Sequence, residues 1–557
     1  MSFQPRPIAD VAKDLGLTPD DYEPYGRGKA KLDLALLTRP ARAKGRLVLV
    51  TAINPTPAGE GKTTTSISLA MGMRRLSKNA VLALREPSLG PVFGVKGGGT
   101  GGGKASLTPA DDINLHFTGD IHAITTAHNL LSALVDNSVY FGDVIPDKGE
   151  IDPRQVTWGR AMDMNDRFLR KCIVGLGGKV SGTPREERFD ITAASEIMAI
   201  MALASDHEDL EKRLSRIVIG QTYDGKAVTA GDIQASAAMT AVLRDALKPN
   251  LVQTEEGGPA IVHCGPFGNI AHGCNSVIAT RLAMSLGDYA ITEAGFGFDL
   301  GGEKFLDIKC RLAGIWPRAV VLVATLRALK MHGGAPVKTC GEPNAEKLKK
   351  GIEHLEKHLE TAKAFGLKPV VAINVFPNDT EEEIAMVEKA VGALGARLAR
   401  SEGFGKGGEG ALELARVVCE VVDATDASPP PARYVYDETD PAEEKIKKIA
   451  RTVYGAKEVI FTAVAEKNIM RARELGYAQL PICMAKTQMS LTDDPAIFGR
   501  PRDFTITVRE VRLSAGAGFL VALTGDMMTM PGLPKVPASR GIKLLPNGKI
   551  KGLMQND

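Results

Sequence analysis

The segment TPAGEGKTTTS (Thr56–Ser66) has the residue types and the spacing of a phosphate-binding loop. Gly61, Lys62 and Thr63 occupy the last three places of the pattern G-x-x-x-x-G-K-[ST], and Thr56 stands where the first glycine is expected. Backbone N–H groups at a helix start stabilise phosphate, a lysine ammonium reaches the outer phosphates of a nucleotide, and a threonine hydroxyl can hold Mg²⁺. The segment therefore predicts a phosphate site with Thr63 as a Mg²⁺ ligand.

The residues on either side place this segment between a strand and a helix. Val48–Ile53 is an apolar run typical of a buried parallel strand, and Gly61–Arg75 has the composition of a helix. Gly59 and Gly61 let the backbone approach an anion without a Cβ atom in the way. The alternative interpretation is an ordinary strand–turn–helix that contains G-K-T by chance.

A second segment with chemical potential, REPSLGPVFGVKGGGTGGGK (Arg85–Lys104), follows the next predicted strand, Ala80–Leu84. Parallel sheets bind ligands at the carboxyl ends of their strands, so Arg85 and Glu86 are expected beside the phosphate loop. A cation there would neutralise charge on a phosphoryl group during transfer. The glycine run Gly97–Gly103 is either a second backbone cradle for an anion or a flexible linker.

These segments belong to a chain in which apolar strand-like runs alternate with helix-like stretches. This order predicts an α/β fold with mostly parallel sheets and a phosphate-loop core. Further strands are expected at Cys172–Leu176, Ile261–Cys264, Ala319–Ala324 and Val370–Val375, and long charged helices at Ala345–Phe365 and Glu381–Arg400. The proline run Ser428–Pro431 indicates a linker or a surface crossing.

Composition excludes several classes of protein. The 557 residues include 69 basic and 66 acidic side chains, a net charge of +3, which gives no basis for a nucleic-acid or membrane partner. Seven scattered cysteines without a C-x-x-C motif, and no apolar signal-like start, predict a reduced, cytoplasmic protein. Cys264 and Cys274 are interpreted as small buried apolar residues.

A set of longer motifs resembles one family closely, in order and over nearly the whole chain. The motifs are TPAGEGKTTTS, REPSLGPVFGVKGGGTGGG, FTGDIHAITTAHNLL, GPFGNIAHGCNS, TEAGFGFDLGGEKF, INVFPNDT, KGGEG and MPGLPKVPAS. The family is that of the formate–tetrahydrofolate ligases, also called 10-formyltetrahydrofolate synthetases. The resemblance implies that ATP, formate and tetrahydrofolate are converted to 10-formyltetrahydrofolate, ADP and phosphate through formyl phosphate. It also implies a homotetramer.

The resemblance carries roles over to the motif positions of this chain. Lys62 and Arg85 match the family's catalytic lysine and arginine, and Glu86 matches a position at its monovalent cation (K⁺ or NH₄⁺). The implied ATP–Mg²⁺ site consists of Thr56, Pro57, Ala58, Gly59, Glu60, Gly61, Lys62 and Thr63. The chain is divided into a phosphate-loop catalytic core (1–360), an α/β segment contributing to the folate site (361–430) and a C-terminal α/β segment (431–557).

The implied folate site consists mainly of flat aromatic side chains. Phe376 matches a stacking residue, Phe296 matches a third ring, and Phe404 stands where the family has a tryptophan. Asp120 matches an acid near the folate, whose alternative role is an N-cap of the following helix. Ordinary core packing is the alternative for any one phenylalanine.

Other features receive less specific interpretations. His354 and His358 have the spacing of two metal ligands on a helix, but their charged neighbours favour a solvated helix face. Lys445–Lys448 is likewise interpreted as an exposed helix face. The alternative function from another class is a phosphate-loop ATPase switch that uses hydrolysis to change partners. Such a switch would need no aromatic pocket around Phe376 and Phe404.

Overall fold

The computed structural model describes residues 4–57, 59–96 and 99–553, with backbone only at 95–96. One sheet contains twelve strands, which we number β1 to β12 along the chain. They are β1 Tyr22–Pro24, β2 Ala30–Leu32, β3 Arg46–Ala52, β4 Ala80–Leu84, β5 Gly101–Gly102, β6 Ala105–Thr108, β7 Asn250–Thr254, β8 Pro259–Val262, β9 Tyr289–Glu293, β10 Ala319–Ala324, β11 Pro369–Asn374 and β12 Arg397–Ser401.

Helices precede, connect and follow these strands along the chain. Those of seven or more residues in the described chain are α1 Ile8–Asp14, α2 Lys62–Arg75, α3 Asp120–Phe141, α4 Glu196–Leu203, α5 His207–Ser215, α6 Ser236–Leu243, α7 Val277–Leu286, α8 Leu326–His332, α9 Ala345–Ala364, α10 Glu381–Ala393, α11 Leu412–Asp423, α12 Ala442–Ile449 and α13 Ala463–Glu474. Within the described residues no helix is long and apolar enough to cross a membrane.

Seven neighbouring strands of the sheet run parallel, in the order β8-β4-β9-β3-β10-β11-β12. Strand β7 joins β8 antiparallel, and β2, β1 and β6 extend this end of the sheet. Every residue of β3, β4, β9 and β10 is buried, which explains why these strands are mainly apolar. The α/β class with a mostly parallel sheet is therefore confirmed. The strand that precedes the phosphate loop, β3, lies inside the sheet between β9 and β10.

Agreement with the predicted elements is closest in the buried strands. Ala80–Leu84 and Ala319–Ala324 are strands with the predicted bounds. The predicted helix Glu381–Arg400 is wrong in its last part, because α10 ends at Ala393 and Arg397–Ser401 is strand β12. Gly395, with φ of 68°, supplies the left-handed turn that ends the helix.

The predicted strand Cys172–Leu176 lies outside the main sheet. Cys172–Val174 pairs antiparallel with Arg185–Glu187 in a two-stranded hairpin. Several of its large apolar side chains are exposed, including Ile173, Leu176 and Val180. The segment is therefore not part of the parallel core.

The three-part domain division stays a prediction. Strands β11 and β12 come after residue 360 and pair with the sheet that contains β3. The described residues after 431 form a small hairpin of Lys543–Leu544 with Ile550–Lys551 and two further sheets. Their strands are Glu458–Phe461 with Thr505–Val508, and Ile482–Ala485, Phe519–Leu523 and Glu510–Ser514.

Candidate functional site

The phosphate-loop candidate connects β3 to α2, as its sequence predicts. Lys62 is the first residue of α2, and Gly61 precedes it in the left-handed conformation (φ 76°). Gly59 also has positive φ (74°), so both glycines are required by the path of the backbone. Pro57 and Gly59 are exposed, whereas Ala58 lies outside the described residues.

The carboxyl group of Glu60 explains why threonine can replace the first glycine of the pattern. Glu60 Oε1 accepts hydrogen bonds from the Thr56 backbone N–H (2.7 Å) and from Thr56 Oγ1 (3.1 Å). Burial raises the pKa of Glu60. Hydrogen bonds between Thr56 and the Glu60 carboxyl group therefore join the start of the loop to its end. Asn374, at the end of β11, also donates from Nδ2 to the carbonyl oxygen of Glu60 (2.7 Å).

Lys62 lies half-buried at the carboxyl edge of the sheet. Its Nζ makes no hydrogen bond or ion pair with a described residue. Burial lowers the pKa of Lys62, the carboxylates of Glu60 and Glu293 oppose this, and the charge of Arg85 adds to it. Lys62 therefore has a donor available for an anion above the loop.

Thr63 faces a carboxylate that the sequence interpretation missed. Thr63 Oγ1 donates to Oε2 of Glu293, the last residue of β9, over 2.9 Å. A hydroxyl and a carboxylate at this distance are the oxygen ligands that Mg²⁺ prefers. Among the described residues, no three His, Cys, Asp or Glu side chains come together as a metal site. Both Glu293 and Asn374 are polar residues at the end of a strand, and this position could have identified them from the sequence.

Arg85 and Glu86 follow β4, which places them at the same edge as the phosphate loop. Arg85 Nε is buried and has no hydrogen-bond partner in the described structure. A Cβ atom at residue 295 would lie 3.0 Å from Arg85 Nη1, so Gly295 keeps room for the guanidinium group. Glu86 Oε2 is also buried without a partner. Burial and the nearby charge of Asp120 raise the pKa of Glu86 well above its ordinary value.

Asp120 is a buried ion-pair partner and not a helix cap. It is the first residue of α3, and Gly119 occupies the N-cap position. Its Oδ1 accepts from Lys31 Nζ (2.7 Å), and its Oδ2 accepts from Asn250 Nδ2 (2.7 Å). The N-cap alternative is therefore wrong. A pterin amine would share these two carboxylate oxygens with donors of the protein.

The three predicted aromatic residues have different surroundings. Phe376 follows β11, and the Arg327 guanidinium lies 4.2 Å from its ring centroid. Phe296 adopts a strained positive φ of 59°, and its ring lies against Gly268. Phe404 is 51% exposed, so its ring is not core packing.

The glycine run packs against this last aromatic residue. The Lys104 N–H donates to the carbonyl oxygen of Phe404 (2.9 Å), and a Cβ atom at residue 103 would lie only 2.1 Å from that oxygen. Gly101 and Gly102 form β5. The second half of the run is therefore ordered structure and not a linker, whereas Gly97 and Gly98 lie outside the described residues.

The interpretation of His354 and His358 as a solvated helix face is wrong. Both are buried on α9. His354 Nδ1 lies 2.8 Å from the carbonyl oxygen of Gly499, and His358 Nε2 lies 3.1 Å from Asn54 Oδ1. The cause is a long-range one, because a C-terminal segment covers this face of the helix.

The interpretation of Lys445–Lys448 as an exposed face is also wrong at its first residue. Lys445 is buried and donates to the carbonyl oxygens of Gln479 (2.9 Å) and Leu480 (3.1 Å). Cys264 and Cys274, by contrast, are buried as predicted. Burial also raises the pKa of the Cys264 thiol well above its ordinary value, which disfavours a nucleophilic thiolate.

Taken together, the edge presents two cationic side chains, Lys62 and Arg85, beside a helix N-terminus. This combination can bind and stabilise a multiply charged anion. Thr63 and Glu293 offer oxygen ligands next to it, and aromatic rings lie at the ends of neighbouring loops. The arrangement suits transfer of a phosphoryl group between two bound anions.

Comparison with known proteins is consistent with this chemistry. The sequence model of the family described as formate–tetrahydrofolate ligase matches residues 1–554. A curated protein of Myxococcus xanthus (strain DK1622), named formate–tetrahydrofolate ligase, is 60% identical over 552 residues. That alignment covers 99% of this chain and the full length of the relative.

Proposed function

The chain belongs to the formate–tetrahydrofolate ligase family, and from this premise we propose how its residues share the work of the reaction. The enzyme uses ATP to join formate to tetrahydrofolate. The single observation that carries this conclusion is the similarity to a curated ligase over the full length of both chains. The alternative of a phosphate-loop ATPase switch is not supported.

The chemistry requires that formate be activated. Formate is a poor acyl donor because oxide would have to leave. We propose that a formate oxygen attacks the γ-phosphorus of ATP, so that ADP leaves and formyl phosphate forms. N10 of tetrahydrofolate then attacks the formyl carbon, phosphate leaves, and N10 loses its proton. Both reactants of the first step are anions, so cations must hold them together.

Lys62 and Arg85 are assigned these cationic roles. Lys62 stabilises the phosphoryl group in transfer, since its Nζ has no described protein partner. Arg85 pairs with formate and then with formyl phosphate, because a planar guanidinium matches either anion. The buried, unpartnered Nε of Arg85 supports this role.

The loop residues Thr56, Pro57, Gly59, Glu60 and Gly61, with Ala58, are assigned to ATP, and the β3–loop–α2 unit to a phosphate-loop nucleotide hydrolase-like core. Thr63 would hold Mg²⁺, and Glu293 is added here as its neighbour. When bound, Mg²⁺ neutralises charge on the phosphates. The glycines at positive φ support this assignment, because they leave the backbone open to the phosphates.

A monovalent cation, K⁺ or NH₄⁺, is assigned to the neighbourhood of Glu86. Glu86 fits this role, because its buried Oε2 has no partner in the described structure and a cation would supply one. Asp120 and its partner Lys31 lie in the same buried network, since their charges both act on the pKa of Glu86. The cation would stabilise the charged form of the Glu86 carboxyl group.

The folate is assigned to Phe376, Phe404 and Phe296, with Asp120 on the pterin side. Aromatic rings stack on the pterin and benzoyl groups. Asn374 supports this arrangement, because it holds the phosphate loop two residues before Phe376. The loop assigned to ATP and the ring assigned to folate are thereby joined by one short segment.

A homotetramer is also proposed. The hairpin Cys172–Glu187 and the segment before it expose large apolar side chains that a second copy of the chain would cover. Phe168 and Val180 are each 85% exposed. Their substitution by aspartate should reduce the assembly size measured by light scattering.

The test of the function is reconstitution with each substrate omitted in turn. Formation of 10-formyltetrahydrofolate should require ATP, formate and tetrahydrofolate together. ATP hydrolysis that ignores both formate and folate would contradict the proposal.

A further inference from the structure

Asn54 lies between β3 and the phosphate loop, and its side chain is fully buried. Its backbone carbonyl oxygen accepts from His332 Nε2 (3.0 Å), and its Oδ1 accepts from His358 Nε2 (3.1 Å). Its Nδ2 donates to Asp299 Oδ2 (3.1 Å) and to the carbonyl oxygen of Gln488 (3.0 Å). Both ends of the side-chain amide are therefore engaged, two residues before the loop begins.

The histidines around Asn54, with Asn54 itself, form a group that we call the histidine cluster: His332, His354, His358 and Asn54. His354 Nδ1 donates to the Gly499 carbonyl oxygen, so its Nε2 is an acceptor, 3.3 Å from His358 Nε2. His332 Nδ1 accepts from the Gly499 N–H (3.4 Å). This pattern is satisfied by neutral imidazoles. Burial lowers the pKa of His332 and of His358 to about 4 each, in agreement.

The remaining partners come from the C-terminal part of the chain. Gln488 lies 434 residues after Asn54 in sequence. Lys486 Nζ forms an ion pair with Asp299 Oδ2 (2.9 Å), and both side chains are completely buried. Lys486 also donates to the Thr487 and Ser490 carbonyl oxygens. The segment Lys486–Ser490 is therefore fixed against the strand end that leads into the loop.

Buried ion pairs of this kind contribute little net stability, and in some proteins they specify one arrangement. Asp299 would be an uncompensated buried charge without Lys486 and Asn54. The exit of the loop is held separately by Asn374, through the Glu60 carbonyl oxygen. The loop is thus held at both ends, and the described hydrogen bonds and ion pairs of the segment that holds its entry include no residue assigned to a substrate.

We propose that Asn54 is a positioning residue for phosphoryl transfer, through which the C-terminal segment Lys486–Ser490 and the histidine cluster set the position of the phosphate loop. The proposal deepens the function proposed above and rests on the assignment of ATP to that loop. Asn54 itself contacts no reacting atom. A small displacement of the loop entry would move Lys62 relative to the γ-phosphate.

The test compares Asn54→Ala with a control in the full-length protein. Asn54→Ala should raise KM for ATP or lower kcat by between about 10- and 100-fold and leave KM for tetrahydrofolate unchanged. The matched control is Tyr289→Phe, which removes a partly buried hydrogen bond to Asp423 at the opposite end of the strands. It should lower the melting temperature without a change in KM for ATP. Unchanged kinetics of folded Asn54→Ala enzyme would overturn the proposal.

A second pair of variants covers the case in which Asn54→Ala does not fold. His358→Gln keeps a donor that reaches Asn54 Oδ1, whereas His358→Leu removes it. His358→Gln should retain KM for ATP within about twofold, and His358→Leu should show the Asn54→Ala defect. Equal KM values for ATP together with equal kcat values in the two variants would overturn the proposal.

ATP binding by calorimetry separates this proposal from the function on which it rests. Loss of binding in Lys62→Ala, with unchanged binding and turnover in Asn54→Ala, would refute only the positioning role. Unchanged ATP binding in Lys62→Ala would instead refute the assignment of the loop.

Discussion

Two buried polar regions meet at the phosphate loop and satisfy their hydrogen bonds in opposite ways. At the cationic edge, Arg85 Nε and Glu86 Oε2 are buried without partners, and Lys62 Nζ bonds to no described residue. In the histidine cluster, by contrast, the amide of Asn54 and both ring nitrogens of His332 and His354 are paired.

The difference agrees with a ligand site at the edge and a supporting structure in the cluster, although unpaired buried atoms also occur elsewhere, as at Glu303. An unpaired buried polar atom costs about 1–3 kcal/mol. That cost is tolerated where a ligand supplies the missing partner. His272 belongs with the first region in this respect, because it is buried and neither of its ring nitrogens has a hydrogen-bond partner in the described structure. Substitutions at the edge should therefore affect catalysis, and substitutions in the cluster should affect stability as well.

The largest effect is expected for Lys62→Ala. Turnover should fall by at least about 100-fold, because a preorganised cation at the transferring phosphoryl group is lost. The melting temperature should change little, since Nζ has no described protein partner. Lys13→Ala, at an exposed lysine of α1, is the control. If folded Lys62→Ala enzyme turned over at nearly the wild-type rate, the edge could not be distinguished from the histidine cluster by its role in catalysis.

A pH dependence of stability is expected from the cluster. The folded pKa of His358 is about 4, below the ordinary 6.5, so the unfolded chain takes up the proton first. The stability of the fold with a neutral His358 is therefore at its full value above pH 6.5, and it is lost as the pH falls towards 4. On the order of 2 kcal/mol per such histidine is lost between pH 6.5 and 5.

The measurement is the free energy of unfolding of the wild type minus that of His358→Gln, as a function of pH. The difference should fall on acidification. Glu196 and Asp307, whose pKa values burial raises to about 7, act in the opposite direction, but they are common to both proteins and cancel. A flat difference would mean that His358 does not resist protonation.

A smaller effect is expected for Phe376→Ala. Loss of the stacking ring should raise KM for tetrahydrofolate by up to about tenfold and change KM for ATP much less. Steady-state kinetics with each substrate varied would test this. Equal effects on both constants would indicate that Phe376 acts through Asn374 and the loop.

The smallest effect is expected for Phe404→Trp. The ring is half exposed, and a larger indole face should lower KM for tetrahydrofolate about two- to threefold. Stability should not change. A rise in KM would show that the site is shaped for the smaller phenylalanine ring.

Local pattern was a good guide where the determinants were local. The strands Ala80–Leu84 and Ala319–Ala324 are buried on both faces, and their apolar runs predicted them correctly. The helix after the phosphate loop begins at Lys62, as the glycines indicate. The helix predicted for Glu381–Arg400 was too long, because Gly395 ends it within a stretch of residues that otherwise favour a helix.

The residues at the site also divide into those that local sequence predicted and those that it did not. The phosphate loop, Arg85 and Glu86 could be placed together because parallel strands end at one edge of the sheet. Glu293 and Asn374 were missed, since a single polar residue at a strand end is a weak signal. His354 and His358 were misjudged because their own neighbours in sequence are charged, while the segment that buries them is far away in sequence.

The sequence by itself determined the family, the buried parallel strands and the strand–loop–helix that carries the phosphate-loop candidate, because these depend on short-range composition and on contiguous motifs. Only the tertiary structure decided which polar groups are paired. His358 bonds to Asn54, and Asp299 forms an ion pair with Lys486. The physical reason is that the energy of a buried polar atom depends on partners that chain folding brings from remote positions.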